Sequence, residues 1–123
     1  MLRQRQQARI VVVDDDRLMR EIAADALAGL AHIEACDGVE AAVAALEREP
    51  VDLVLSDLVM PGRSGLELLE FVRREHPATD FVLFTANASI ESAVEALRMG
   101  ATDYLTKPVK PEEIGRASCR ERV

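Results

Sequence analysis

Tryptophan is absent from the 123-residue chain, and phenylalanine and tyrosine together make up 3% of it. So few rings exclude a base-stacking platform for single-stranded nucleic acid. Basic residues are outnumbered, with 15 Lys and Arg against 22 Asp and Glu and a net charge of −7. A chain of that sign is poorly suited to gripping phosphate backbones, so no direct nucleic-acid contact is expected. Two cysteines, Cys36 and Cys119, make neither a disulfide framework nor a zinc site. Long apolar runs are missing as well, which excludes a membrane span. The basic start, Arg3, Arg5 and Arg9, is followed only by Ile10 to Val13 before three aspartates, which is no signal peptide. The six glycines form no G-x-G-x-x-G fingerprint, and no Gly-Lys pair of a P-loop occurs. With 49% hydrophobic and 30% charged residues, one small packed domain is expected, in the cytoplasm.

Four short apolar runs read as strands: Ile10 to Val13, Val51 to Leu55, Phe81 to Phe84 and the weaker Thr102 to Leu105. The first and third are nearly continuous in apolar character, as central parallel strands are. His32 to Cys36 is a poorer fifth candidate. Between the runs the period becomes helical. Leu18, Ile22, Ala26, Leu27 and Leu30 share one face of a segment from about Arg17 to Leu30. Val39, Ala42, Val43 and Leu46 do the same, as do Leu68, Leu69 and Val72 after Gly65. Ile90, Val94 and Leu97 follow Ser89, an expected N-cap, while Gly29 and Gly100 stand at expected helix C-termini. Alternating strands and helices predict an α/β fold with right-handed crossovers, one parallel sheet and helices on both faces.

Open α/β sheets bind ligands at the carboxyl ends of their strands. There the chain places Asp14-Asp15-Asp16, Ser56-Asp57, Thr85 and Thr106-Lys107. Taken singly each has a plain structural reading: Asp16 as a helix N-cap, Asp57 as a turn former ahead of Pro61-Gly62, Thr85 as a loop hydroxyl, Lys107 as a solvated charge. Their convergence on one sheet edge argues for chemistry. Clustered carboxylates repel, and a divalent cation relieves the repulsion; hard oxygen donors suit Mg2+. A carboxylate is also a nucleophile able to form an aspartyl phosphate, with an ammonium and a hydroxyl to neutralise the phosphoryl oxygens.

Four segments resemble, in order and spacing, the receiver domain of two-component response regulators. They are Val11 to Asp16, Ser56 to Gly62, Leu83 to Ala86 and Gly100 to Pro108, and the resemblance runs from about Ala8 to Glu113. It implies a doubly wound five-stranded parallel sheet of flavodoxin-like order 2-1-3-4-5. It implies Asp57 as phosphoacceptor, with Asp14, Asp15, Asp57 and the Val59 backbone carbonyl holding Mg2+. Thr85 and Lys107 would bind phosphoryl oxygens, the Lys107-Pro108 peptide would be cis, and Tyr104 would be an aromatic switch coupled to Thr85. Val59 and Asn87 match the positions that influence the water attacking the aspartyl phosphate. The implied partner is a sensor histidine kinase. The implied output is an attached domain, transcriptional to judge by Ala93 to Leu97 before Gly100, or a homodimer through the fourth helix and fifth strand. The receiver of a hybrid kinase would carry the same motifs. Such a chain catalyses only its own phosphorylation and slow dephosphorylation.

Two other functions compete. A haloacid-dehalogenase-like phosphohydrolase uses an aspartyl phosphate in a D-x-D-x-Thr/Val pattern. Asp14 and Asp16 fit its first half, but Leu18 stands where Thr or Val is wanted, and no insertion supplies a cap. An unphosphorylated interaction module would lack Asp15, Asp57 or Lys107, and all are present. His32 and His76 have no neighbours of metal-ligand spacing, and Arg73-Arg74 reads as a solvated face. Residues 1–113 are expected to be the receiver unit. Ile114 to Val123 has no apolar stripe and resembles the translation of a sequencing adapter, a non-native tail that would cut the frame inside the fifth helix. Losing that helix would forgo about 1.5–3 kcal/mol per unburied apolar side chain, leaving the chain marginally folded.

Overall fold

The structure is a computed structural model and describes residues 8–107. Five strands alternate with four helices: β1 Ala8–Val13, α1 Arg17–Leu27, β2 Ala31–Cys36, α2 Val39–Arg48, β3 Leu53–Asp57, α3 Gly65–Glu75, β4 Asp80–Thr85, α4 Ile90–Arg98 and β5 Asp103–Thr106. All pairings are parallel and the strand order is β2-β1-β3-β4-β5, the doubly wound arrangement expected. The fifth helix, the Lys107-Pro108 peptide and the tail from Ile114 lie outside the described residues.

Strand side chains alternate between two cores. Val11, Val13, Val54, Phe81 and Leu83 pack with α2 and α3 through Val39, Ala42, Leu46, Leu68, Leu69 and Val72. Ile10, Val12, Leu53, Leu55, Val82 and Phe84 pack on the other face with Ala23 and Leu27 of α1. β1, β3 and β4 are covered on both faces, which explains their unbroken apolar text. β3 starts two residues later than Val51, because the Asp52 carboxylate accepts a hydrogen bond from the Arg9 backbone N–H at 2.7 Å and its N–H donates to the Arg9 carbonyl. Arg9 itself is no part of a basic leader. It sits buried in β1 and pairs with Glu34 at 2.9 Å.

Caps follow the expected chemistry. Asp16 accepts from the Leu18 N–H at 2.9 Å, and Ser89 accepts from the Ser92 N–H at 3.1 Å. Gly29 and Gly100 adopt φ of +84° and +102° just past α1 and α4, a region that side chains disfavour. Two helix faces depart from expectation. α1 buries Ala23 and Leu27, and Leu18 is 61% exposed, with Ile22 and Leu30 also exposed. α4 buries only Ala96, while Ile90 is 84% exposed, with Val94 and Leu97 also exposed. Ala23 with Leu27 in α1, and Ala96 alone in α4, face the sheet, while Leu18, Ile22, Ile90, Val94 and Leu97 are turned outward. Arg73 also departs from a solvated role: it is half-buried and donates to the Thr79 carbonyl.

Gly65 opens α3 where the helix meets the end of β3. A Cβ there would stand 2.2 Å from the Asp57 carbonyl oxygen and 2.9 Å from Leu83 Cδ2. Backbone and a buried side chain cannot yield cheaply, so the helix would be displaced. Gly65→Ala is expected to lower stability by roughly 1–3 kcal/mol in urea unfolding. A loss below about 0.5 kcal/mol would show that α3 shifts freely.

Candidate functional site

Parallel register builds the site. Val13 of β1 lies beside Ser56 of β3, so the next residues, Asp14 and Asp57, emerge side by side. Asp57 lies beside Phe84 of β4, and Thr85 beside Thr106 of β5. The Lys107 N–H donates to the Thr85 carbonyl at 2.9 Å, which continues the pairing by one residue and aims the lysine across the sheet edge.

Lys107 Nζ donates to Asp14 Oδ2 at 2.7 Å and to Asp57 Oδ2 at 3.2 Å. It also lies 4.8 Å from the centroid of the Phe84 ring, whose face favours a cation. Asp14 is fully buried, and its other oxygen accepts from the Asp16 N–H at 2.9 Å. Asp57 is buried and Asp15 is exposed. Burial pushes the Asp57 carboxyl up, Lys107 pulls it back and the charge of Asp14 pushes it up again, for a net upward shift. Burial alone would lower Lys107, but Asp14 and then Asp57 outweigh it and hold its ammonium above the ordinary lysine value.

Asp14, Asp15 and Asp57 each offer a carboxylate oxygen, all within 4.8 Å of one another. Three hard anionic donors this close fit a small divalent cation. Thr85 is buried, and its Oγ1 accepts from the Asn87 N–H at 3.1 Å. Val59 is exposed two residues past Asp57, in the loop closed by a 2.8 Å hydrogen bond from the Gly65 N–H to the Leu58 carbonyl. Tyr104 sits apart from the carboxylates, half-buried beneath α4, with its hydroxyl 2.5 Å from Ser92 Oγ. The edge therefore brings together Asp14, Asp15, Asp57 and Lys107, with Thr85 on the adjoining strand. Asp16 serves as a cap instead. Cys36 is a buried thiol whose pKa burial pushes up to about 11.

Three supporting residues escaped the sequence reading. Arg20 donates to the Asp14 backbone carbonyl at 2.7 Å, Phe84 underlies Lys107, and Gly65 admits α3 against Asp57. Only Gly65 carried a signal, as a glycine at a helix start. Arg20 and Phe84 act through distances that no local pattern encodes.

The family model for the response regulator receiver domain matches residues 10–118, and the chain belongs to that family. It is 44% identical over 102 residues to the response regulator protein FleR of Pseudomonas aeruginosa, covering 82% of this chain and 22% of that protein. It is 38% identical over 103 residues to the DNA-binding transcriptional regulator NtrC of Salmonella typhimurium, covering 83% and 22%. The chain thus spans less than a quarter of the length of either regulator. Among solved structures, a CheY-like receiver domain protein from Methanospirillum hungatei superposes with a TM-score of 0.85 at 30% identity, covering 95% of this chain and 94% of that one. No described helix is long and apolar enough to cross a membrane.

The buried ion cluster has a measurable consequence. Removing Lys107 leaves Asp14 buried beside Asp57 without a counter-charge. Lys107→Met is expected to cost about 2–4 kcal/mol in unfolding at neutral pH, and adding Asp14→Asn to restore most of it. A cost below about 1 kcal/mol, or no recovery in the double variant, would show that solvent already neutralises Asp14.

Proposed function

We propose that the chain is a phosphorylation-driven switch: Asp57 accepts a phosphoryl group from a sensor histidine kinase and the change is read at α4 and β5. The observation that carries this is the lysine bridge. An ammonium held 3.2 Å from Asp57 Oδ2 and 2.7 Å from Asp14 Oδ2 occupies the place where phosphoryl charge would develop. Asp57 is the nucleophile. Its buried setting removes competing water, and the backbone of Leu58 hydrogen-bonds it in place. The Asp57 oxygen forms the new bond to phosphorus while the bond to the donor's imidazole nitrogen breaks, and that nitrogen leaves with the bonding pair. Lys107 neutralises one phosphoryl oxygen, and Thr85 donates its hydroxyl to another.

Asp14, Asp15, Asp57 and the Val59 carbonyl would hold Mg2+, with Asp15 the exposed member at the entrance. When bound, the ion supplies positive charge to the phosphoryl oxygens. The three close carboxylate oxygens support this reading. Thr85 then leaves the Asn87 N–H and turns toward the phosphoryl group, and Tyr104 follows. Exposed Ile90, Val94 and Leu97 on α4 give an output domain or a second copy a surface to read. The naming of one relative as a DNA-binding transcriptional regulator supports a transcriptional output. We place the receiver unit at residues 1–113, in the cytoplasm, with no catalysis beyond its own phosphorylation and dephosphorylation.

Acetyl phosphate with Mg2+ is the direct test. The wild-type chain should take up one phosphoryl group and Asp57→Asn none, and full labelling of that variant would falsify this assignment. The phosphorylated state should be long-lived, because the exposed Val59 side chain has no group to orient an attacking water. Val59→Asn should therefore speed dephosphorylation, measured as loss of label after donor removal, and unchanged or slower decay would count against that account.

A further inference from the structure

Tyr104 is the only tyrosine of a chain without tryptophan. Its hydroxyl makes one side-chain hydrogen bond among the described residues, 2.5 Å to Ser92 Oγ in the first turn of α4. Ser92 is a saturated node. Its N–H donates to Ser89 Oγ at 3.1 Å, and its Oγ accepts from the Ser89 hydroxyl at 2.9 Å. Its own hydroxyl proton goes to the Ser89 carbonyl at 3.2 Å. A serine hydroxyl has one proton and two lone pairs, so the Tyr104 hydroxyl is the donor in the contact with Ser92.

Ser89 is the N-cap of α4, and the short loop before it begins at Thr85, whose Oγ1 accepts from the Asn87 N–H. The ring of Tyr104 is thus joined through Ser92 to the cap of α4, and that cap is four residues from the hydroxyl beside the phosphoacceptor. Beside the ring runs a groove of about 330 Å³, lined by Ala88, Ser89, Ile90, Ala93, Tyr104 and Thr106. Packing is therefore incomplete on that side, which leaves a directed hydrogen bond to set where the ring rests.

We propose that Ser92 is the positioning residue of the switch: its hydroxyl latches Tyr104 to the first turn of α4 in the unphosphorylated state and sets the threshold that phosphorylation overcomes. This rests on the receiver function proposed above. The latch stabilises one packing of α4 and β5 over the other. A ligand that favours the unlatched packing therefore binds more tightly once the latch is removed.

The probe is beryllofluoride with Mg2+, a phosphoryl mimic, titrated calorimetrically into the full chain. Ser92→Ala should bind it roughly two- to tenfold more tightly than wild type, the range expected for one net hydrogen bond. Tyr104→Phe removes the same bond from the other side and should give the same gain. The double variant should gain no more than either single one, and Ser92→Thr, which keeps the hydroxyl, should return the wild-type affinity. A purely structural serine would lower the melting temperature without moving this affinity. Fluorescence of the lone tyrosine gives a second readout: ligand-free Ser92→Ala should already be displaced toward the emission of the saturated wild type. Wild-type affinity in Ser92→Ala, or fully additive gains in the double variant, would overturn the latch while leaving the receiver function standing. Failure of the wild-type chain to bind beryllofluoride, or equal binding by Asp57→Asn, would overturn both.

Discussion

Everything at the sheet edge depends on the forced proximity of two buried carboxylates. Parallel pairing of β1 with β3 leaves Asp14 and Asp57 as neighbours, and neither can retreat without breaking the register. Like charges about 4 Å apart repel by roughly 4 kcal/mol at the effective dielectric of a protein surface. A cation is therefore a structural requirement before it is a catalytic one. Lys107 meets it, delivered from the far edge by pairing with Thr85 and seated over Phe84. The geometry that keeps the fold intact also presents positive charge to any anion carried by Asp57.

That edge is rigid on one side and yielding on the other. α3 is locked. Leu68, Leu69 and Val72 are fully buried, and Gly65 lets its first turn press on the Asp57 carbonyl. α4 is held by little: Ala96 is its one buried residue, and its larger apolar side chains face outward. Few buried contacts make an element inexpensive to repack.

The strands and the carboxylate positions were legible because they follow from local text, whereas the order 2-1-3-4-5 came from the resemblance to receiver domains. A β-branched run ending in Asp14, or in Ser56-Asp57, announces both a central strand and its polar terminus. Caps at Asp16 and Ser89 were legible for the same reason, since a side chain bonding two or three residues ahead is a local event. The outward faces of α1 and α4 were not. Leu18 and Ile22, or Ile90 and Val94, make a good apolar stripe by periodicity. Periodicity cannot say whether a stripe meets the sheet or another surface. Alanine was the missed signal: Ala23 and Ala96 mark the buried sides of the two helices. Arg20 and Phe84 were invisible for a different reason, because their partners lie on other elements.

The contrast between α3 and α4 also bears on where a signal can travel. A new charge on Asp57 adjoins β3, β4 and the β3–α3 loop. Displacing α3 would open three fully buried side chains and strain the Gly65 contact, at a cost of several kcal/mol. Displacing the start of α4 breaks only a small set of hydrogen bonds around Thr85, Ser89, Ser92 and Tyr104, each worth about 1 kcal/mol net. The path of least resistance therefore runs from Thr85 along the β4–α4 loop. Two-state behaviour at α4 needs no long-range wire, because this weakly held helix is joined to Thr85 by the short β4–α4 loop that ends in its own cap.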